Sequence, residues 1–108
     1  MTKRAVKKDI LSGNWKSLYD WGSGVEYRIE KKNIGYVVKV RDSYDGEHAD
    51  VLETKWNARR HILSFAAYWK SSGRFLRCSL RAVTESQIEL TYTYTDQEVL
   101  ERISKIRA

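Results

Sequence analysis

Between Arg60 and Thr95 apolar and polar side chains change places at almost every step. Successive strand side chains point to opposite faces, so a period of two leaves this stretch little choice but a half-buried sheet. From His61 to Trp69, Leu63, Phe65, Ala67 and Trp69 share one side. After Ser71-Ser72-Gly73, Leu76, Cys78, Leu80 and Ala82 fall on one face, with Arg77, Ser79 and Arg81 on the other. After Thr84-Glu85-Ser86, Ile88, Leu90, Tyr92 and Tyr94 alternate with Glu89, Thr91, Thr93 and Thr95. Turns this short join antiparallel neighbours, because a parallel crossover needs a dozen residues or more. The expectation is an antiparallel meander.

The chain before it repeats the pattern. Asn14 to Trp21 reads as a strand, Gly22-Ser23-Gly24 as a turn, and Val25, Tyr27 and Ile29 alternate with Glu26, Arg28 and Glu30. Tyr36, Val38 and Val40 form the next apolar face, and Leu52, Thr54 and Trp56 the one after an acidic loop from Asp42 to Asp50. Strand-like segments at this spacing, with no long helix between them, are the pattern of a barrel or sandwich, and the expectation taken is an all-β antiparallel up-and-down barrel or half-barrel of about seven strands. Thr95 and Glu98 have capping-box spacing, and Val99, Leu100, Ile103 and Ile106 follow at helical intervals. A C-terminal α-helix over 96–106 is therefore expected to dock on the sheet. Residues 1–12 read as a basic arm or short helical turn ending before Gly13, and 1–108 as one domain.

Charge separates the function classes less than its total suggests. The formal net charge is +6, yet residues 1–9 hold +3 of it and residues 100–108 hold +2. The intervening body is almost balanced, which weakens the case for a basic nucleic-acid groove. The alternative nucleic-acid reading uses the outward face of Arg77 and Arg81 together with the basic termini, with Arg74 beside the turn and aromatic rings near enough to stack on bases. Cys78 is the only cysteine and sits on an apolar parity, so it reads as a core filler with no intrachain disulfide. No apolar run approaches a membrane span and no signal-peptide core is evident, so the expected location is cytoplasmic. The Asp42–Asp50 loop lacks the spacing of a calcium loop, and His48 and His61 have no partner at ligand spacing. Neither a metal nor a cofactor is expected, and no catalytic constellation is legible.

Leu11-Ser12-Gly13-Asn14-Trp15 resembles the G-x-W signature at the first strand of lipocalin-like barrels, the calycin group. In that family a short helical turn precedes the signature, its tryptophan packs at the closed end, and a basic side chain lies across it. Gly13 and Trp15 match, and Arg102 is a candidate for the basic partner. The chain is shorter than typical members and has one strand fewer than the usual eight.

The resemblance implies a non-catalytic binding module that takes a small apolar ligand or a protein partner at the barrel interior or rim. The rings that would line such an interior are Trp15, Tyr27, Tyr36, Trp56, Phe65, Trp69 and Tyr92. The same rings would equally serve as core, since a barrel of about eight strands is just wide enough for either. Oligomerisation through an open sheet edge is a further expectation.

Overall fold

The computed structural model describes residues 9–17, 24–95 and 98–106. Seven antiparallel strands appear in chain order: β1 (Gly13–Lys16), β2 (Val25–Lys31), β3 (Tyr36–Asp42), β4 (Asp50–Asn57), β5 (Ile62–Trp69), β6 (Arg74–Ala82) and β7 (Ile88–Thr95). They divide into two sheets, β1-β2-β3 and β4-β5-β6-β7, every neighbour pair antiparallel. The meander emerges in the register its alternation demands: Leu63 faces Leu80, and Leu80 faces Leu90 across the next ladder. The expected strand from Asn14 is seen as far as Lys16, and Tyr19, Trp21 and the Gly22–Ser23 turn lie outside the described residues.

Both inner faces feed one core. Ile29, Val38 and Val40 from the first sheet meet Leu63, Phe65, Ala67, Cys78 and Leu80 from the second, and Leu11 plugs one end. Burying these apolar side chains is what holds the sheets face to face, at roughly 1.5–3 kcal/mol for each fully buried large side chain. Among the described residues β1 pairs only with β2, and β7 only with β6. Neither β1 with β7 nor β3 with β4 shares a ladder, so the described strands form two facing sheets and no closed barrel, with an opening between β1 and β7.

Two expectations are corrected. Residues 98–106 form no helix, and Val99, Leu100, Ile103 and Ile106 are 101%, 83%, 100% and 97% exposed. The helical spacing is present, but a nine-residue helix without a surface to pack on does not persist in water. Arg102 accordingly stands in an exposed arm rather than on a docked helix. At the other end, Asp9–Ser12 takes no helical turn either, while Thr2–Lys8 lies outside the described residues.

The second correction concerns β4. Its ladder with β5 shifts register between Leu52 and Lys55, and Glu53 sits there at φ 55°. An extra residue at a bulge flips the parity of everything beyond it. Val51 and Trp56, five apart, both pack on the core, whereas Leu52 is 46% exposed. The predicted face of Leu52, Thr54 and Trp56 does not exist.

Candidate binding site

Where the two sheets fail to meet, between β1 and β7, a groove of about 1210 Å³ runs between them. Its floor is apolar: Val25 and Val40 from the first sheet, Leu76, Cys78, Leu80 and Leu90 from the second. Those residues share the inward parity of their strands, so the same alternation that builds the core builds the floor. Tyr92 and Tyr94 carry β7 onward, but with no strand beyond that edge among the described residues they remain 53% and 52% exposed.

Four of the seven rings expected to line an interior do line this groove: Trp15, Tyr27, Trp69 and Tyr92. The other three lie elsewhere. Phe65 is buried in the core, edge-on to Tyr27 at 6.5 Å between centroids. Tyr36 and Trp56 meet at the opposite end of the sheet pair, 5.1 Å apart and nearly perpendicular, with His61 against the far edge of Trp56 at 6.1 Å. Edge-to-face pairing suits the ring quadrupoles, and it closes that end with aromatic carbon.

The segment before β1 straps the closed end. Trp15 Nε1 donates to the Leu11 carbonyl at 2.8 Å, holding Leu11 in the core. Asp9 accepts from the Ser12 amide at 3.2 Å and from the Ser12 hydroxyl, and Tyr36 Oη donates to Asp9 Oδ1 at 2.9 Å. Ser12 Oγ also receives the Lys31 amide at 3.1 Å. Burial alone would raise the Asp9 carboxyl, but the Ser12 and Tyr36 hydrogen bonds and the Lys31 charge outweigh it, holding it below its usual range. Burial, reinforced by donation to Asp9, pushes the Tyr36 phenol up to about 12. Gly13 takes φ +146°, a backbone conformation open to glycine and strained for other residues. That requirement, with the Trp15 bond, gives the G-x-W residues a physical role in turning the strap into β1.

Within the groove, burial raises the Tyr27 phenol to about 12 and the Cys78 thiol to about 11. A thiol that resists ionisation is a poor nucleophile, which agrees with Cys78 as floor. At the open end the rim is charged, with Lys16 and Arg74 beside three acids. Asp42, Asp45 and Glu47 gather there, with Glu47 accepting from the Ser71 hydroxyl at 2.7 Å and from its amide at 3.2 Å. Arg74 shares that rim and lies over the Tyr94 ring, 4.7 Å from its centroid. The other two arginines of the nucleic-acid reading lie outside the groove: Arg77 pairs with Glu53 at 3.0 Å and Arg81 with Glu89 at 2.9 Å. Among the described residues no three His, Cys, Asp or Glu side chains come together as metal ligands, and no helix is long and apolar enough to cross a membrane.

Sequence reasoning missed Tyr94 as a groove residue although it shares the parity of Tyr92. It had no means of finding the charged rim, which forms only when the β3–β4 loop folds against the β5–β6 turn. No family model, curated protein or solved structure matches this chain.

Proposed function

We propose that this chain is a non-catalytic binding module that takes an apolar ligand, or the apolar side of a protein segment, in the groove between its sheets. The observation that carries this reading is an apolar floor, partly exposed at Val25, Leu76 and Leu90 and backed by the core, under an opening flanked by Trp15, Tyr27, Trp69 and Tyr92. Ligand sites combine an apolar floor with a few placed polar groups, and this groove has both. A lipocalin-like ancestry fits the same features: the Gly13–Trp15 motif, the up-and-down order and one plugged end. The nucleic-acid reading has weaker support, because Arg77 and Arg81 each have a carboxylate at salt-bridge distance.

Titrating a fluorescent long-chain fatty acid into the full chain tests the proposal. Saturable binding with energy transfer from tryptophan is expected, and Tyr92→Lys, which sets an ammonium in the groove without disturbing a buried position, should abolish it. Unsaturable binding, or a Tyr92→Lys protein that binds as the wild type does, would overturn the reading.

A further inference from the structure

Sheet edges are normally guarded, because an unpaired row of amides and carbonyls recruits other strands. Among the described residues three of the four edges are guarded. β1 is only four residues long, and β3 carries Lys39 and Arg41 and is bridged to His48 near its end. β4 carries Asp50, Glu53 and Lys55 and is broken by its bulge. β7 has no such protection. It runs eight residues in unbroken register, without lysine, arginine or proline, and Glu89 is its one charge. We infer that β7 pairs with β7 of a second copy, antiparallel about a two-fold axis at Thr91, joining two four-stranded sheets into one.

Backbone and side chains select the same register. The Gln87 carbonyl accepts from the Val83 amide at 3.0 Å, so the backbone groups of Gln87 face β6. Alternation then turns the amides and carbonyls of Ile88, Leu90, Tyr92 and Tyr94 toward the free edge. These are also the inward-facing residues. A pairing slipped by one residue would leave the amides unmatched and set apolar side chains against wet ones. Centring on Thr91 uses the whole strand. Ile88 faces Tyr94 of the second copy and Leu90 faces Tyr92, so each half-exposed ring gains the aliphatic neighbour that it lacks at the bare edge. On the wet face Thr91 meets its own twin and Glu89 meets Thr93, which leaves the two carboxylates about 14 Å apart along the strands, where screening removes most repulsion. This self-complementarity selects a second copy over a foreign strand: each free backbone group, and each side chain beside it, finds its match in the same strand read backwards, and a two-fold axis closes the assembly. Directly opposed residues share a face, so the two grooves open toward each other over a joint floor, and the pairing does not depend on either holding a ligand.

The test uses the full chain. Sedimentation should give twice 12.7 kDa for the wild type. Thr91→Glu, at an exposed position, sets two carboxylates face to face on the axis and should raise the dissociation constant on the order of tenfold or more, as should Thr91→Lys with two ammonium groups. An equimolar mixture of the two variants should recover the dimer, which misfolded chains could not do. Thr91 opposes itself at a non-hydrogen-bonded position, where the Cα atoms come close enough for a disulfide. Thr91→Cys should therefore cross-link when oxidised by glutathione disulfide, whereas Thr93→Cys should cross-link with Glu89→Cys and not with itself. Cys78 is buried and contributes no cross-link. A wild type that stays monomeric at high micromolar concentration overturns the pairing. So does a dimer indifferent to charge at Thr91, or a Thr91→Cys chain that cross-links no faster than Thr93→Cys alone.

Discussion

Tyr36→Phe removes a single oxygen from the strap that closes the plugged end, and the consequences can be worked through. The phenol donates to an ionised carboxylate at 2.9 Å, and hydrogen bonds to charged groups contribute about 1.5–3 kcal/mol. Asp9 is exposed, so water competes for its oxygens and the lower end applies, about 1.5 kcal/mol. With a urea slope near 1.5 kcal/mol per M, the unfolding midpoint should fall by about 1 M. The ring stays, and so does its contact with Trp56, so the slope itself should not change. The loss should also depend on pH in a defined way. Asp9 titrates below its ordinary 3.8 when folded, so its contribution is present above 3.8 and is lost as the pH falls through the folded value. Tyr36 titrates near 12 when folded and near 10 when unfolded, so its contribution is present below 10 and disappears as the pH climbs through 12. The gap between wild type and Tyr36→Phe should therefore be widest in between and narrow at both edges. Urea titrations across the acidic edge, repeated in an Asp9→Asn background, measure it. A gap below about 0.3 kcal/mol at neutral pH, or one unchanged on acidification, would refute the reasoning.

Three further outcomes follow from the same geometry. Leu63→Ala, at a side chain with no exposed surface, should cost about 3–4 kcal/mol in equilibrium unfolding; Val51→Ala should cost more than Leu52→Ala, the reverse of what unbroken alternation implies. Glu53→Val should cost about 1–2 kcal/mol, because a β-branched side chain is strained at φ 55°, whereas Glu53→Gln, which loses only an exposed ion pair, should cost less than about 0.5 kcal/mol. Iodoacetamide at pH 8 should label Cys78 in urea and spare it in the native protein, since burial both covers the thiol and keeps it protonated; rapid native labelling would place the thiol in solvent.

Strand identity and pairing were legible in the chain because both are set by local information. Alternation across Ile62–Trp69, Arg74–Ala82 and Ile88–Thr95 leaves one register that turns every leucine inward, and turns of a few residues fix the partner. Four of the groove's rings were visible for the same reason, their parity pointing inward. Parity failed at β4, where a bulge changes which residues face the core without changing the residues themselves. It was also silent on whether a ring facing inward meets another sheet, as Phe65 does, or an opening, as Tyr92 does.

The amino-acid order by itself determined a run of antiparallel strands with an oily inner face and a stripe of aliphatic side chains near its end. The tertiary structure decided that the wall stays open between β1 and β7, that the acids of one loop gather at that opening, and that the aliphatic stripe is left in water. The division has a physical cause. A strand's face is chosen by the period of its own side chains, whereas an opening exists only through the distance between two edges far apart along the chain.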